Sequence, residues 1–142
     1  MSEKNDNLPV IFFICIATLI VPIILMPIEK IAPYPFVFEE ILKAVLVLLI
    51  LNFSKHQKQL ILMITITFLF ALSENIFYST NFITNGILYN FWQRFILTST
   101  LHILTALIIF IPSQRKIELI TPSTVLAMIM HYFYNQLALL AF

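Results

Sequence analysis

Pro35-Phe-Val-Phe-Glu39-Glu40-Ile-Leu-Lys43-Ala-Val-Leu-Val-Leu-Leu-Ile50 sets two adjacent carboxylates and an amine at the head of an otherwise apolar run. A charged side chain inside a bilayer costs roughly 2.5–3.5 kcal/mol on insertion scales, so such residues need partners and usually mark function. On a helix Glu39 and Lys43 share a face at the i,i+4 spacing, and Glu40 reaches Lys43 at i,i+3. The two glutamates project about 100° apart. One is expected to neutralise the lysine while the other faces a site.

The rest of the chain explains why this run is read as membrane-embedded. It is 61% hydrophobic and 11% charged, with one glycine, whereas charged residues make up about 25% of soluble domains. The apolar residues fall in continuous blocks of about 20, the length that crosses a hydrocarbon core of about 30 Å. Continuous rather than alternating blocks indicate helices, not a barrel. The fold class is therefore all-α: a polytopic membrane helical bundle forming a single transmembrane domain. About five transmembrane helices are expected, near residues 8–28, 36–53, 60–80, 91–111 and 122–141. A net charge of +1 with no basic cluster offers nothing to nucleic acid. The lone Cys15 excludes an intrachain disulfide and reads as a small apolar filler.

The connections follow from local chemistry. The first apolar run is long and lacks a small-x-small cleavage site, so it is expected to remain as a span, bent or ended early by Pro22 and Pro27. Pro33 and Pro35 hold the next link extended, Gly86 marks a turn, and Thr121 with Pro122 reads as an N-cap and first helical residue. Lys55, Lys58, Arg115 and Lys116 lie in the loops after spans two and four, against Lys30 beside Glu29 after span one. The positive-inside rule then puts the N-terminus in the cytoplasm and the C-terminus outside. At 1.5 Å per residue, Glu39, Glu40, Glu74, His102, His131 and Asn135 all fall in the outer half of the bilayer or near its midplane. Residues from four helices at compatible depths form one polar cavity in this reading.

Glu74 and Tyr78 share a face on span three, with Phe70 one turn below; the plainer reading is a clamp between helices, to Arg94 or Lys43. Thr98, His102 and Thr105 make a polar stripe on span four, and Thr124, His131 and Asn135 another on span five. Two histidines and a glutamate match a metal-binding triad (Glu74, His102 and His131), yet the chain has no His-Glu-x-x-His and no two-histidine helix face. A metal-free alternative needs no cofactor: a glutamate near Lys43 as general base to water, with histidines and an asparagine stabilising an oxyanion. The residues available to such chemistry are Glu39, Glu40, His102, His131 and Asn135, with Lys43, Glu74, Asn75 and Arg94 beside them. Rival readings are a non-catalytic membrane immunity or partner-binding protein, and a proton-coupled carrier using the same groups as a relay.

The ordered set Glu39-Glu40-x-x-Lys43, Phe70-Ala71-x-x-Glu74-Asn75-x-x-Tyr78, Arg94-x7-His102-x2-Thr105 and His131-x3-Asn135 resembles the PrsW family of intramembrane proteases, relatives of the CAAX-processing and bacteriocin-processing membrane proteases. The resemblance covers roughly Pro35 to Asn135, and departs from the family where bulky Leu69 and Leu107 stand at places often held by glycine. It implies an endopeptidase acting on a membrane-bound protein or peptide. Members have been labelled metalloproteases, while the CAAX relatives imply a metal-free glutamic mechanism. By resemblance Glu39 is the base, Glu40 and Lys43 support it, His131 and Asn135 bind the oxyanion, and Glu74 and His102 position water or substrate. The resemblance thus implies Glu39, Glu40, His102, His131 and Asn135 as the catalytic group and Lys43, Glu74, Asn75 and Arg94 as the supporting one.

Overall fold

The computed structural model describes residues 8–54, 56–84 and 88–141, with their side chains except at 26, 28–30, 77–78, 80–84, 88–90 and 138–141. Five α-helices follow one another: α1 (Leu8–Ile31), α2 (Pro35–Phe53), α3 (His56–Thr84), α4 (Leu88–Arg115) and α5 (Ile120–Ala141). Tyr78 as a side chain, the turn at Gly86, and the charges of Glu29, Lys30 and Lys55 lie outside what is described. The protein is an all-α membrane helical bundle. Among the described residues, three helices are long and apolar enough to cross a membrane, through Leu8–Leu25, His56–Ile76 and Phe91–Arg115.

Helix α2 is the centre of the bundle. It packs against α1, α3, α4 and α5, whereas among the described residues α1 touches only α2 and α3. This explains how three charges fit on a 19-residue helix: Glu39, Glu40 and Lys43 are all buried by neighbours instead of facing lipid. Below them α2 continues with Leu46, Val47 and Ile50, which join Met63 and Ile66 of α3, Ala106, Ile109 and Phe110 of α4 and Ala127 of α5 in the apolar core. The interior is thus layered along the bundle axis, polar near the start of α2 and apolar beyond it. Lipid is as apolar as leucine, so close van der Waals packing, aided by small residues such as Ala71, Ala106 and Ala127, holds the helices together. Outward faces carry Phe12, Ile24, Ile61, Ile96, Leu104 and Phe133, as a bilayer-facing surface requires.

Two local expectations are corrected. Pro22 and Pro27 do not end α1, which runs unbroken from Leu8 to Ile31. A proline deprives the carbonyl four residues earlier of its N–H and loosens that turn. The carbonyl deprived by Pro22 is that of Thr18; next to it, the Ser73 hydroxyl of α3 donates to the Leu19 carbonyl at 2.6 Å and ties this turn of α1 to α3. Thr121 is not the N-cap of α5. A 3-10 turn over Ile117–Leu119 leads directly into α5 at Ile120, so Pro122 falls inside the first turn, where an N–H has no intrahelical acceptor in any case. Replacing Ser73 by Ala should detach α3 from this turn of α1 and lower stability by about 0.6–1.7 kcal/mol, the range of interhelical hydrogen bonds in membranes. Unfolding in mixed micelles measures it.

Candidate active site

The polar layer is assembled from four helices. Glu39 and Glu40 open α2, Glu74 projects from α3, Arg94 and His102 from α4, and His131 from α5. The adjacent glutamates divide as their helical angle requires. Glu40 is fully buried, and one of its oxygens, Oε1, accepts from Lys43 Nζ at 2.7 Å and from His131 Nδ1 at 2.7 Å. Lys43, also fully buried, donates its second hydrogen bond to Thr105 Oγ1 at 2.8 Å. Glu39 turns elsewhere. Its Oε2 lies 3.8 Å from His131 Nε2 and 4.0 Å from His102 Nε2.

Glu74 joins from the other side. Its Oε2 is 2.7 Å from His102 Nε2, and its Oε1 is 3.5 Å from the Arg94 guanidinium. The interhelical clamp and the site are therefore one structure. Aromatic rings hold the imidazoles: Phe70 lies 5.1 Å from the His102 ring, Phe36 5.9 Å from the His131 ring, and the two imidazoles meet edge-on at 5.6 Å. Glu39, Glu74 and His131 keep some exposure while Glu40, Lys43 and Thr105 have none. One carboxylate is thus sealed into the scaffold, and the other is buried beside the two imidazoles with slight residual exposure.

Not every sequence candidate reaches this centre. Asn75 is buried, but its amide donates to the Ala71 carbonyl on its own helix at 2.7 Å. Asn135 is half-buried one turn beyond His131, and among the described contacts its amide makes no hydrogen bond. Thr124 donates back to the Ile120 carbonyl at 2.7 Å and borders an apolar crevice between α2 and α5 with Ile41, Ala44 and Met128. The sequence reading missed Tyr134, whose hydroxyl lies 3.2 Å from Thr98 Oγ1 and whose ring is 6.4 Å from that of His131. The i+3 spacing from His131 was a signal for it.

The donor set fits a divalent cation: Glu39, Glu74 and His102 each offer a ligand atom, all within 4.8 Å of one another, and two carboxylate oxygens with one imidazole suit zinc or a related metal. The trio takes Glu39 where the sequence reading had His131. His131 instead has the outer partner that metal-bound imidazoles normally possess, a carboxylate on its second nitrogen, and His102 does not, for its buried Nδ1 has no hydrogen-bond partner.

Comparison with known proteins adds one finding. No match was found among curated proteins or among solved structures. The model of a family described as "PrsW family intramembrane metalloprotease" matches residues 31–142, from the last residue of α1 through the whole of α2–α5. The helices that build the polar layer are thus the ones the family model covers, and the chain belongs to the PrsW family of intramembrane proteases.

Proposed function

We propose that the chain is an endopeptidase that cuts a membrane-bound protein or peptide with a water molecule activated by Glu39. In this reading the chain has five spans, of which α2–α5 carry the site in the outer half of the bilayer, with the N-terminus cytoplasmic and the C-terminus outside. The observation that carries this reading is the division of the paired glutamates. Glu40 pairs with Lys43 inside the scaffold, while Glu39 Oε2 lies beside the imidazoles of His102 and His131. Burial among helices strengthens each of these interactions relative to water and removes solvent that would otherwise compete.

In this mechanism Glu39 accepts a proton from water as the oxygen attacks the scissile carbonyl, and returns it to the amide nitrogen as the carbon–nitrogen bond breaks. Glu74, steadied by Arg94, fixes His102 at the edge of the reacting space. Asn135 supplies an amide donor for the oxyanion, on the same face as His131. A divalent cation, if bound, would be held by Glu39, Glu74 and His102 and would polarise the water and the carbonyl. The metal-free route is favoured because the buried His102 Nδ1 has no acceptor to receive the hydrogen that metal ligation through Nε2 would leave there. Cleavage is therefore expected to persist after exhaustive chelation. Loss on chelation with recovery on adding zinc would assign the trio as ligands instead.

The testing experiment compares new protein N-termini in membranes of cells producing wild type, Glu39→Gln or His131→Ala. A terminus present only with wild type supports proteolysis and names the substrate. Identical termini in all three, at equal amounts of folded protein, contradict it and point to a partner-binding role.

A further inference from the structure

The tautomer of His131 has a chemical consequence that a simple oxyanion role does not accommodate. Glu40 Oε1 receives both Lys43 Nζ and His131 Nδ1, each at 2.7 Å. A carboxylate bonded to an ammonium group acts only as an acceptor, so the hydrogen of this bond sits on His131 Nδ1. Neutral imidazole then carries a lone pair, not a hydrogen, on Nε2. That lone pair is on the side facing Glu39, 3.8 Å from its Oε2. The gap is too long for a direct hydrogen bond and can be bridged by one water bonded at about 2.8 Å to both atoms through slightly bent hydrogen bonds.

His102 is arranged the other way. Its Nε2 lies 2.7 Å from the Glu74 carboxylate, so the hydrogen is on Nε2 and is taken by Glu74. Of the two imidazoles beside Glu39, His131 is the one offering a lone pair toward it. The lock on His131 extends further. Lys43 also donates to Thr105 Oγ1 at 2.8 Å, and Thr105 in turn donates to the His102 carbonyl at 3.3 Å. Thr105, Lys43, Glu40 and His131 thus form one buried chain across α4, α2 and α5. Buried ion pairs are weak contributors to stability, and fixing a unique arrangement is a use for one.

We infer that the nucleophilic water is held through both of its hydrogens, by Glu39 Oε2 and His131 Nε2, and that Thr105 is a positioning residue that fixes the His131 tautomer through Lys43 and Glu40. The inference rests on the proposed role of Glu39 as base and replaces an oxyanion role for His131. A water so held directs its oxygen lone pairs away from both acceptors, toward a substrate carbonyl. As its oxygen bonds to the carbonyl carbon, one proton passes to Glu39 and from there to the amide nitrogen, whose bond to carbon breaks. The other hydrogen stays on the oxygen, hydrogen-bonded to His131, and leaves with the new carboxylic acid. One water is consumed, an acid and an amine are formed, and no electron changes hands.

Nitrogen-15 NMR of histidine-labelled protein in detergent micelles, with His131 assigned from a His131→Gln sample, reads this directly. In wild type His131 is expected to be neutral, protonated on Nδ1 and uncoordinated at Nε2. Thr105→Val should mix the two tautomers and lower kcat by about 10–100-fold with KM little changed, since small misplacements of a reacting group have effects of that order. Thr105→Ser should restore both readouts, which a purely structural loss of the threonine methyl would not permit. Protonation or metal coordination at His131 Nε2 in wild type overturns the inference, as does a Thr105→Val protein with unchanged tautomer and kcat. Because the spectrum needs no substrate, an Nδ1-protonated His131 in a protein that cleaves nothing overturns the proteolytic reading while the tautomer lock stands.

Discussion

Glu39→Gln should lower kcat by about 10³-fold, within the 10²–10⁴ range of general acid–base catalysis, while the protein stays folded. The substitution keeps the shape and volume of the side chain and removes its ability to take a proton. Folding is spared because the glutamate that neutralises the buried ammonium is Glu40, with Thr105 as the second partner of Lys43. KM should change little, since the base acts on water and not on the remote parts of the substrate that supply binding energy. The check is a cleavage assay on purified protein with the substrate identified from membrane N-termini, run beside a thermal melt. A Glu39→Gln protein with full activity would move the base to another group. A protein that melts early would mean that Glu39 also holds the bundle together.

Lys43→Met should produce the largest loss of stability, about 3–5 kcal/mol, the usual consequence of removing one partner of a buried ion pair. Lys43 and Glu40 are both fully buried, so the methionine leaves a carboxylate inside the bundle with His131 as its remaining hydrogen-bond partner. The double substitution Lys43→Met with Glu40→Gln should recover most of the loss, because the uncompensated charge disappears with its partner. Activity should remain low in both, since the fixed acceptor for His131 Nδ1 is weakened or gone. A double-mutant cycle of unfolding in mixed micelles isolates the coupling between the two residues. Additive losses with no recovery would show that the ion pair is not what the bundle is organised to hold.

The contrast between these two glutamates shows how far the sequence carries. Adjacent residues on a helix must diverge, so a split between one buried partner for Lys43 and one carboxylate turned elsewhere was readable from Glu39-Glu40-x-x-Lys43 alone. Long apolar runs made the helices legible, since every backbone polar group in lipid needs an internal partner. A clamp on Glu74 was also within reach, with Arg94 and Lys43 both open as its partner, and the fold selects Arg94. Which histidine would meet which carboxylate was not. His102 bonds Glu74 and His131 bonds Glu40 because of how α2 sits between α4 and α5, and helical spacing within one segment has no information about that. The same limit applies to Asn75, whose motif position says nothing about its bond to Ala71. The 3-10 start of α5 and the continuation of α1 past two prolines were hidden for a different reason. Both depend on how the freed backbone groups find partners, which local residue preferences do not specify.

Direct attack by water on the scissile bond is tested most sharply by a single turnover in water enriched in oxygen-18, with purified protein in excess over substrate. Activation of water by Glu39 predicts one oxygen-18 atom in the new carboxyl terminus after that first turnover, and no label on the protein. An unlabelled first product, with the oxygen-18 atom taken up by the Glu39 side chain in the same turnover, would contradict it and make Glu39 a covalent nucleophile instead of a base.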